Sequence, residues 1–368
     1  MGTRRLVFLR TDGNSTIATG HLMRCLSIAQ ACLKAGMQVC FLVSDAESES
    51  LLADFLASAG TDCRILTVPG ADYRNLNAEL PNLPLLLSKV CHQTGISLRE
   101  SVFFLDSYYV TQEYLQTLKG HLPTAYLDDL MLFDYDTDLV INYDIIPEDC
   151  LTNYQSAYQN AGQALLGGAY APLRSQFQNR QALPHDTVND ILITTGGSDP
   201  YHFCLHFLEQ WQNSNLSETK PILVHIVIGR LYSDKEALYR LAKEHPFLRL
   251  HENVSDMATL LSSCDLAVSA AGTTLYELCA LGIPAISFTM ADNQIISAKA
   301  FAHALNGHSP IPYAGDIRTS KAETLQTILD FLTQMSNAKE KRLCQSNSMR
   351  KLVDGNGAAR IADALLLL

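Results

Sequence analysis

The chain has 368 residues, 47% of them hydrophobic and 18% charged, with a formal net charge of −11. At roughly 150 residues per domain, that length suggests two domains with ample material for two cores. The diffuse acidic balance argues against a broad nucleic-acid surface. A phosphate-bearing small ligand stays open, because helix N-termini hold phosphate through backbone N–H groups. No stretch approaches the roughly 20 apolar residues of a membrane span. The opening MGTRRLVFLRTDGN, with its short apolar run and no small-residue cleavage site, reads as something other than a signal peptide. The ten cysteines are scattered without a C-x-x-C pair. That suggests reduced core thiols in a cytoplasmic protein, with a disulfide framework or a zinc site as the weaker alternative.

Short apolar runs alternate with helix-length segments along the chain. Leu6 to Arg10 predicts a first strand, and His21 to Ala35 a helix closed by Gly36. QVCFLV predicts the second strand, and Glu47 to Ala59 the next helix, followed by Gly60. Ser101 to Asp106, Pro123 to Asp129 and Asp138 to Asn142 continue the series. Gln178 to Asn189 is polar, contains Pro184 and reads as a linker. The series then restarts with DILITTGG, PILVHIVIG, FLRLHENV, CDLAVSAAG and, after a helix beginning near Thr274, PAISF. Continuous apolar strands between helices indicate parallel sheets covered on both faces. The expected class is α/β, with two Rossmann-like doubly wound domains facing a cleft. Their expected bounds are residues 1–180 and 188–350, with a helical tail at 355–368 that can cross back onto the first domain.

Ligands of such sheets bind beyond the carboxyl ends of the strands. Two glycine-bearing turns of the second half fall there. Gly196 and Gly197 follow a strand, where paired glycines expose N–H groups to a ligand or simply make a tight turn. Gly272 lies between a strand and a helix, with Thr273 and Thr274 at the helix entrance, where hydroxyls cap the backbone or meet phosphate oxygens. Glu277, one turn further in, is placed to accept from a ribose diol, or to serve as a capping-box partner. Asp292, Asn293 and Gln294 follow the next strand. In the first half, Asp12 leaves the first strand and Gly20-His21 enters the first helix. A histidine there sits near the positive end of the helix dipole, which favours the neutral imidazole a general base needs. The alternative is a structural histidine. Asp106, Ser107 and Tyr108 end another strand on the same side, and Asp106 equally fits a helix cap.

Several stretches together resemble a known family. They are RTDGNSTIATGHLMRCLSIAQAC, LDSYYV, YLDDL, LLGGAYAPLRSQF, TTGGSDP and SAAGTTLYELCALGIPAISFTMADNQ, spread in order over nearly the whole chain. They resemble the UDP-2,4-diacetamido-2,4,6-trideoxy-β-L-altropyranose hydrolases of pseudaminic acid biosynthesis, which have the two-Rossmann glycosyltransferase B architecture. The resemblance implies metal-independent hydrolysis of a UDP-sugar with inversion at the anomeric carbon and no cofactor, in a pathway serving flagellin or surface-polysaccharide modification. It implies that His21 is the catalytic histidine, with Asp12 of the same motif as a second catalytic residue and Arg24 beside them as a substrate-binding one. It implies that Tyr108 and Asn293 contact the sugar or the attacking water, with Gly20, Asp106 and Gln294 beside them. Gly272, Thr273, Thr274 and Glu277, together with Gly196 and Gly197, correspond to the nucleotide-binding turns. Two departures stand out. Ala18 replaces a glycine of the family's G-x-G-H, and Ser107 replaces the histidine of its D-H-Y. Both bear on the sugar half of the site. A glycosyltransferase, a UDP-sugar 2-epimerase and a non-catalytic nucleotide-sugar module are the competing readings. The epimerase should carry further acid/base groups, and the retained His21 and Asp12 count against the non-catalytic module.

Overall fold

A computed structural model describes residues 5–17, 19–182, 184–229, 231–305 and 309–368. Ala18 and Leu183 lie outside the described residues. The chain divides into two compact units. One comprises Met1–Asp144, Asp149–Ser175 and Asn356–Leu368; the other comprises Ile145–Glu148 and Gln176–Gly355.

The first unit holds β1 (Leu6–Thr11), α1 (Gly20–Lys34), β2 (Gln38–Val43), α2 (Ala46–Ser58), β3 (Arg64–Thr67), α3 (Leu83–Thr94), β4 (Ser101–Asp106), α4 (Gln112–Lys119), β5 (Thr124–Leu127), β6 (Leu139–Asn142), α5 (Leu151–Ala157) and β7 (Gln163–Leu166). Its seven strands run in the order β3-β2-β1-β4-β5-β6-β7, and every pairing is parallel. The central strands β1 and β4 are buried at every position, as expected of a sheet covered on both faces. One of those buried residues is Arg10. Its guanidinium bonds both carboxylate oxygens of Glu79 and reaches Asp12 at 2.5 Å, so a charge in a central strand is paired rather than stranded.

Two of the shifts from the expected boundaries have a direct physical reason. The first helix ends at Lys34, and Gly36 takes the turn beyond it with φ +84°, a conformation that suits glycine. The strand expected through Asp129 stops at Leu127. Asp128 is fully buried, and its carboxylate accepts from the backbone N–H groups of Leu130 and Met131, which turns the chain.

The second unit holds β8 (Asp190–Thr194), α6 (Phe203–Gln212), α7 (Asn215–Thr219), β9 (Leu223–Ile228), α8 (Lys235–Glu244), β10 (Leu248–Glu252), α9 (Met257–Ser262), β11 (Leu266–Ala270), α10 (Thr274–Leu281), β12 (Ala285–Thr289), α11 (Asp292–His303), β13 (Tyr313–Asp316), α12 (Lys321–Ser336) and α13 (Lys339–Leu352). Its six strands run β10-β9-β8-β11-β12-β13, again all parallel. Its core includes Trp211, Phe203 and Phe288, the last two stacked at 3.9 Å between ring centroids.

The last helix, α14 (Gly357–Leu367), belongs to the first unit and packs on α1. Ala358, Ile361, Ala362 and Leu365 enter the core that also holds Leu22, Ile28 and Ala29. Its seat is the GGAYAPLR segment. A Cβ on Gly357 would lie 2.2 Å from the Ala171 carbonyl oxygen, and Arg360 Nη1 donates to the Ala169 carbonyl at 2.7 Å. Only a glycine lets the helix start that close. All ten cysteines are free. Among the described residues, no helix is long and apolar enough to cross a membrane.

Candidate active site

In the first sheet, strand order reverses between β1 and β4. At such a switch point the loops leaving the two strands part and open a crevice beyond the carboxyl edge. A pocket lies there, lined by Asp12, Ile17, His21, Tyr73, Asp106, Ser107, Tyr108 and Tyr109. The register that pairs Thr11 with Asp106 sets the two loops side by side.

His21 is in the first turn of α1 and is 5% exposed. Its Nδ1 lies 2.6 Å from Asp106 Oδ1. Asp106 is also gripped by Arg24, through Nε to Oδ2 at 2.6 Å and Nη2 to Oδ1 at 2.5 Å. Burial alone would push the Asp106 carboxyl up. Arg24, and then His21, outweigh burial and hold it well below the usual carboxylate range. Asp106 is therefore an anion near neutral pH and accepts the Nδ1 proton. In the neutral imidazole, Nε2 then carries the lone pair. Arg24 Nη2 also approaches Nδ1, at 3.0 Å. With the proton on Nδ1, that approach is a by-product of both groups converging on one carboxylate.

Arg24 holds more than Asp106. Nη1 donates to the Tyr143 hydroxyl at 2.9 Å, and Nη2 pairs with Asp129 Oδ2 at 2.8 Å. Tyr108 packs edge-on against His21, with ring centroids 4.4 Å apart. Asp12 lines the pocket, but its carboxylate is engaged elsewhere. It takes bonds from Arg10 Nη1, from Ser44 N at 2.6 Å and from Ser44 Oγ at 2.9 Å. Gly20 opens α1, and among the described residues no heavy atom lies near its missing Cβ. Of the residues expected here, the structure brings Asp12, His21, Arg24, Asp106 and Tyr108 together. Asp129 and Tyr143 join them without having been singled out. The available signal was position, since each directly or nearly follows a strand at the same sheet edge.

In the second sheet the order reverses between β8 and β11. Gly196 and Gly197 leave β8, Gly272 and Thr273 leave β11, and Asn293 follows β12, so the expected residues share one edge. The glycine pair is exposed, with Gly196 at φ +82°. A Cβ on Gly229 would come within 2.4 Å of the backbone of both glycines, and Leu231 N donates to Gly197 O at 2.9 Å. Asp199 of the same segment caps α6, accepting from the N–H groups of Phe203 and Cys204. Thr273 occupies the N-cap of α10 without a side-chain cap bond, and Thr274 begins the helix. Glu277 falls in the first turn, half-buried. Asn293 is exposed, whereas Gln294 turns back so that its Oε1 accepts from Met290 N at 2.8 Å.

Two parallel α/β units of seven and six strands constitute the two-Rossmann glycosyltransferase B fold. MurG of Acinetobacter baumannii superposes with a TM-score of 0.65 at 14% identity, covering 99% of this chain and all of that one. No family model matches the chain. By sequence it is 26% identical over 208 residues to the spore coat polysaccharide biosynthesis protein SpsG of Bacillus subtilis, covering 56% of this chain and 57% of that protein. It is 31% identical over 140 residues to the Helicobacter pylori protein described as a pseudaminic acid cytidylyltransferase and UDP-2,4-diacetamido-2,4,6-trideoxy-β-L-altropyranose hydrolase. That match covers 38% of this chain and 24% of the Helicobacter protein. The matched region thus spans between a quarter and just over half the length of these curated relatives.

Proposed function

We propose that the chain is a UDP-sugar hydrolase that releases UDP and 2,4-diacetamido-2,4,6-trideoxy-L-altrose with inversion at the anomeric carbon. The observation that carries this reading is the 2.6 Å bond from His21 Nδ1 to a buried, ionised Asp106. In the neutral imidazole such a bond puts the proton on Nδ1, so that Nε2 can serve as the base beside the pocket. In the proposed reaction, water attacks the anomeric carbon and gives its proton to Nε2. The bond to the diphosphate oxygen breaks, and its electron pair leaves with UDP. The imidazolium that forms is stabilised by Asp106, as in other histidine–carboxylate pairs.

UDP is a good leaving group, so positioning and charge stabilisation carry most of the work. The backbone N–H groups at Gly196, Gly197 and Gly272, with Thr273 and Thr274 at the start of α10, take the diphosphate. Glu277 accepts from the ribose diol. Gly20 and Tyr108 are the sugar- or water-contacting residues of the first unit and Asn293 that of the second, Gln294 being spent on the Met290 N–H, and Asp12 anchors the loop that leads to His21. The likeness to the Helicobacter protein supports the substrate, and the SpsG likeness supports a place in surface-polysaccharide synthesis.

One observation favours a second reading, transfer to an acceptor. Leu130, Met131 and Leu132 are exposed apolar residues immediately after Asp129, where an apolar acceptor would find a contact surface. UDP release from the UDP-sugar with EDTA present and no acceptor separates the two. Release supports hydrolysis. Release only after an acceptor is added supports transfer.

A further inference from the structure

We propose that Tyr73 and Tyr109 form an aromatic wall of the His21 pocket that selects a sugar carrying methyl-bearing substituents, acetamido or deoxy, over a fully hydroxylated one. The proposal deepens the hydrolase reading and rests on it for where the sugar lies.

The carboxylates of the pocket are already engaged. Asp12 takes bonds from Arg10 and Ser44, and Asp106 from Arg24 and His21. Ser107 Oγ accepts from Tyr109 N at 3.1 Å. Apart from His21, the rest of the lining is Ile17 and the rings of Tyr73, Tyr108 and Tyr109. Tyr109 is 37% exposed and Tyr73 is half-buried. Open aromatic surface beside a few fixed polar groups is what a partly apolar ligand covers on binding.

The two rings come from separate loops that the fold ties together. Tyr73 lies between β3 and α3, and Tyr109 between β4 and α4; β2 and β1 separate β3 from β4 in the sheet. The segment after Tyr73 bridges that gap through Glu79. This fully buried carboxylate takes the Arg10 guanidinium of β1 and the Tyr114 hydroxyl of α4. Thr111, two residues after Tyr109, donates through Oγ1 to Asn77 Oδ1 at 2.7 Å. The rings meet edge-to-face, with centroids 5.8 Å apart and planes at 76°, a geometry that suits the quadrupoles of two aromatic rings. The Arg74 guanidinium lies over the Tyr73 ring, 5.2 Å from its centroid, and adds a cation–π contact. Contacts within the chain thus hold the wall in place, so binding orders few new rotamers.

Its position sets what it meets. A general base lies within hydrogen-bond reach of the water it activates, which puts the reacting carbon beside His21. The substituents of the sugar ring then fall against the other walls of the same pocket. A methyl group there sheds water against an aromatic ring, which is favourable. A hydroxyl there gives up its bonds to water without a replacement, which is costly.

The test has two arms, both in the full chain. In the first, the NMR signals of ¹³C-labelled tyrosine rings are recorded on adding 2,4-diacetamido-2,4,6-trideoxy-L-altrose, N-acetylglucosamine or glucose at equal concentration. Tyr73→Phe and Tyr109→Phe identify the two signals by their loss. Both signals should shift with at least one acetamido sugar, and less with glucose. No shift with either acetamido sugar, or an equal shift with glucose, overturns the proposal. In the second, Tyr73→Ala and Tyr109→Ala are compared with wild type for UDP release and UDP affinity. Each should raise KM for the UDP-sugar about tenfold, lower kcat by less than about threefold and keep its affinity for UDP, because the lost contact holds the sugar alike in ground and transition states. The phenylalanine variants should recover most of the loss in KM, because the ring rather than the hydroxyl makes the contact. A loss confined to kcat, or phenylalanine variants as impaired as the alanine ones, overturns the proposal. If wild type releases no UDP, the hydrolase reading fails and the NMR arm alone decides. Should an alanine variant not fold, Tyr73→Leu or Tyr109→Leu takes its place, with the same direction of change expected.

Discussion

His21 Nδ1 and Asp106 Oδ1 are 2.6 Å apart, 85 residues apart in sequence, and both buried. The carboxylate sets which imidazole nitrogen carries the proton. In Asp106→Asn, the side-chain NH₂ can instead donate to Nδ1, which moves the proton to Nε2 and removes the base. Turnover should fall by about 10³-fold or more, with UDP affinity within a factor of about two of wild type. Steady-state kinetics and calorimetry with UDP check the two halves separately. A variant within tenfold of wild-type kcat would remove the pair from the reaction.

Asp144 gives a pH-dependent stability signature. Burial, and then the Asp129 charge, push its carboxyl up to about 6. Its raised folded value means that the native state binds more protons than the unfolded chain between about pH 4 and pH 6, so stability falls as pH rises through that window. Asp144→Asn should therefore be more stable than wild type at pH 7.5, by about 1–2 kcal/mol. The difference should vanish near pH 4. Thermal melts at both values test it, and a variant less stable at pH 7.5 would contradict the assignment.

The Gly196–Gly197 turn depends on Gly229. A Cβ at Gly229 would meet the backbone of both glycines at 2.4 Å, so one of them must move. Gly229→Ala should weaken UDP binding by at least about tenfold and cost about 1–3 kcal/mol of stability. Titration calorimetry with UDP and a denaturant melt give the two numbers. Wild-type UDP affinity in a folded variant would take this turn out of the nucleotide site.

Asn293 and Gln294 should separate in their effects. Gln294 spends its side-chain oxygen on the Met290 N–H, whereas Asn293 is exposed. Gln294→Ala should lower stability by about 1 kcal/mol through the lost backbone bond. Asn293→Ala should leave the melting temperature within about a degree, since exposed substitutions usually change little, and reduce turnover. The reverse pattern would exchange their roles.

How legible all this is in the sequence depends on burial. Central strands β1, β4, β8, β11 and β12 are covered on both faces and stand out as unbroken apolar runs. The edge strand β3, Arg64–Thr67, has no buried position. The opposite edge of the second sheet, β13 at Tyr313–Asp316, is only half-buried throughout and carries a glycine. Neither leaves a run to read. In the site, His21, Asp106 and Tyr108 were legible because each follows a strand or opens a helix. Asp129 and Tyr143 were not, because their approach to Arg24 follows from β4, β5 and β6 being sheet neighbours. The Arg10–Glu79 pair was hidden likewise, its partners 69 residues apart and joined only by the fold.

In the proposed reaction His21 is the base and contributes nothing essential to holding the nucleotide. The most direct test compares wild type and His21→Ala for two quantities, UDP released from UDP-2,4-diacetamido-2,4,6-trideoxy-β-L-altrose and affinity for UDP. The variant should lose turnover and keep wild-type UDP affinity. Turnover that survives the substitution, or UDP affinity that disappears with it, would contradict that role.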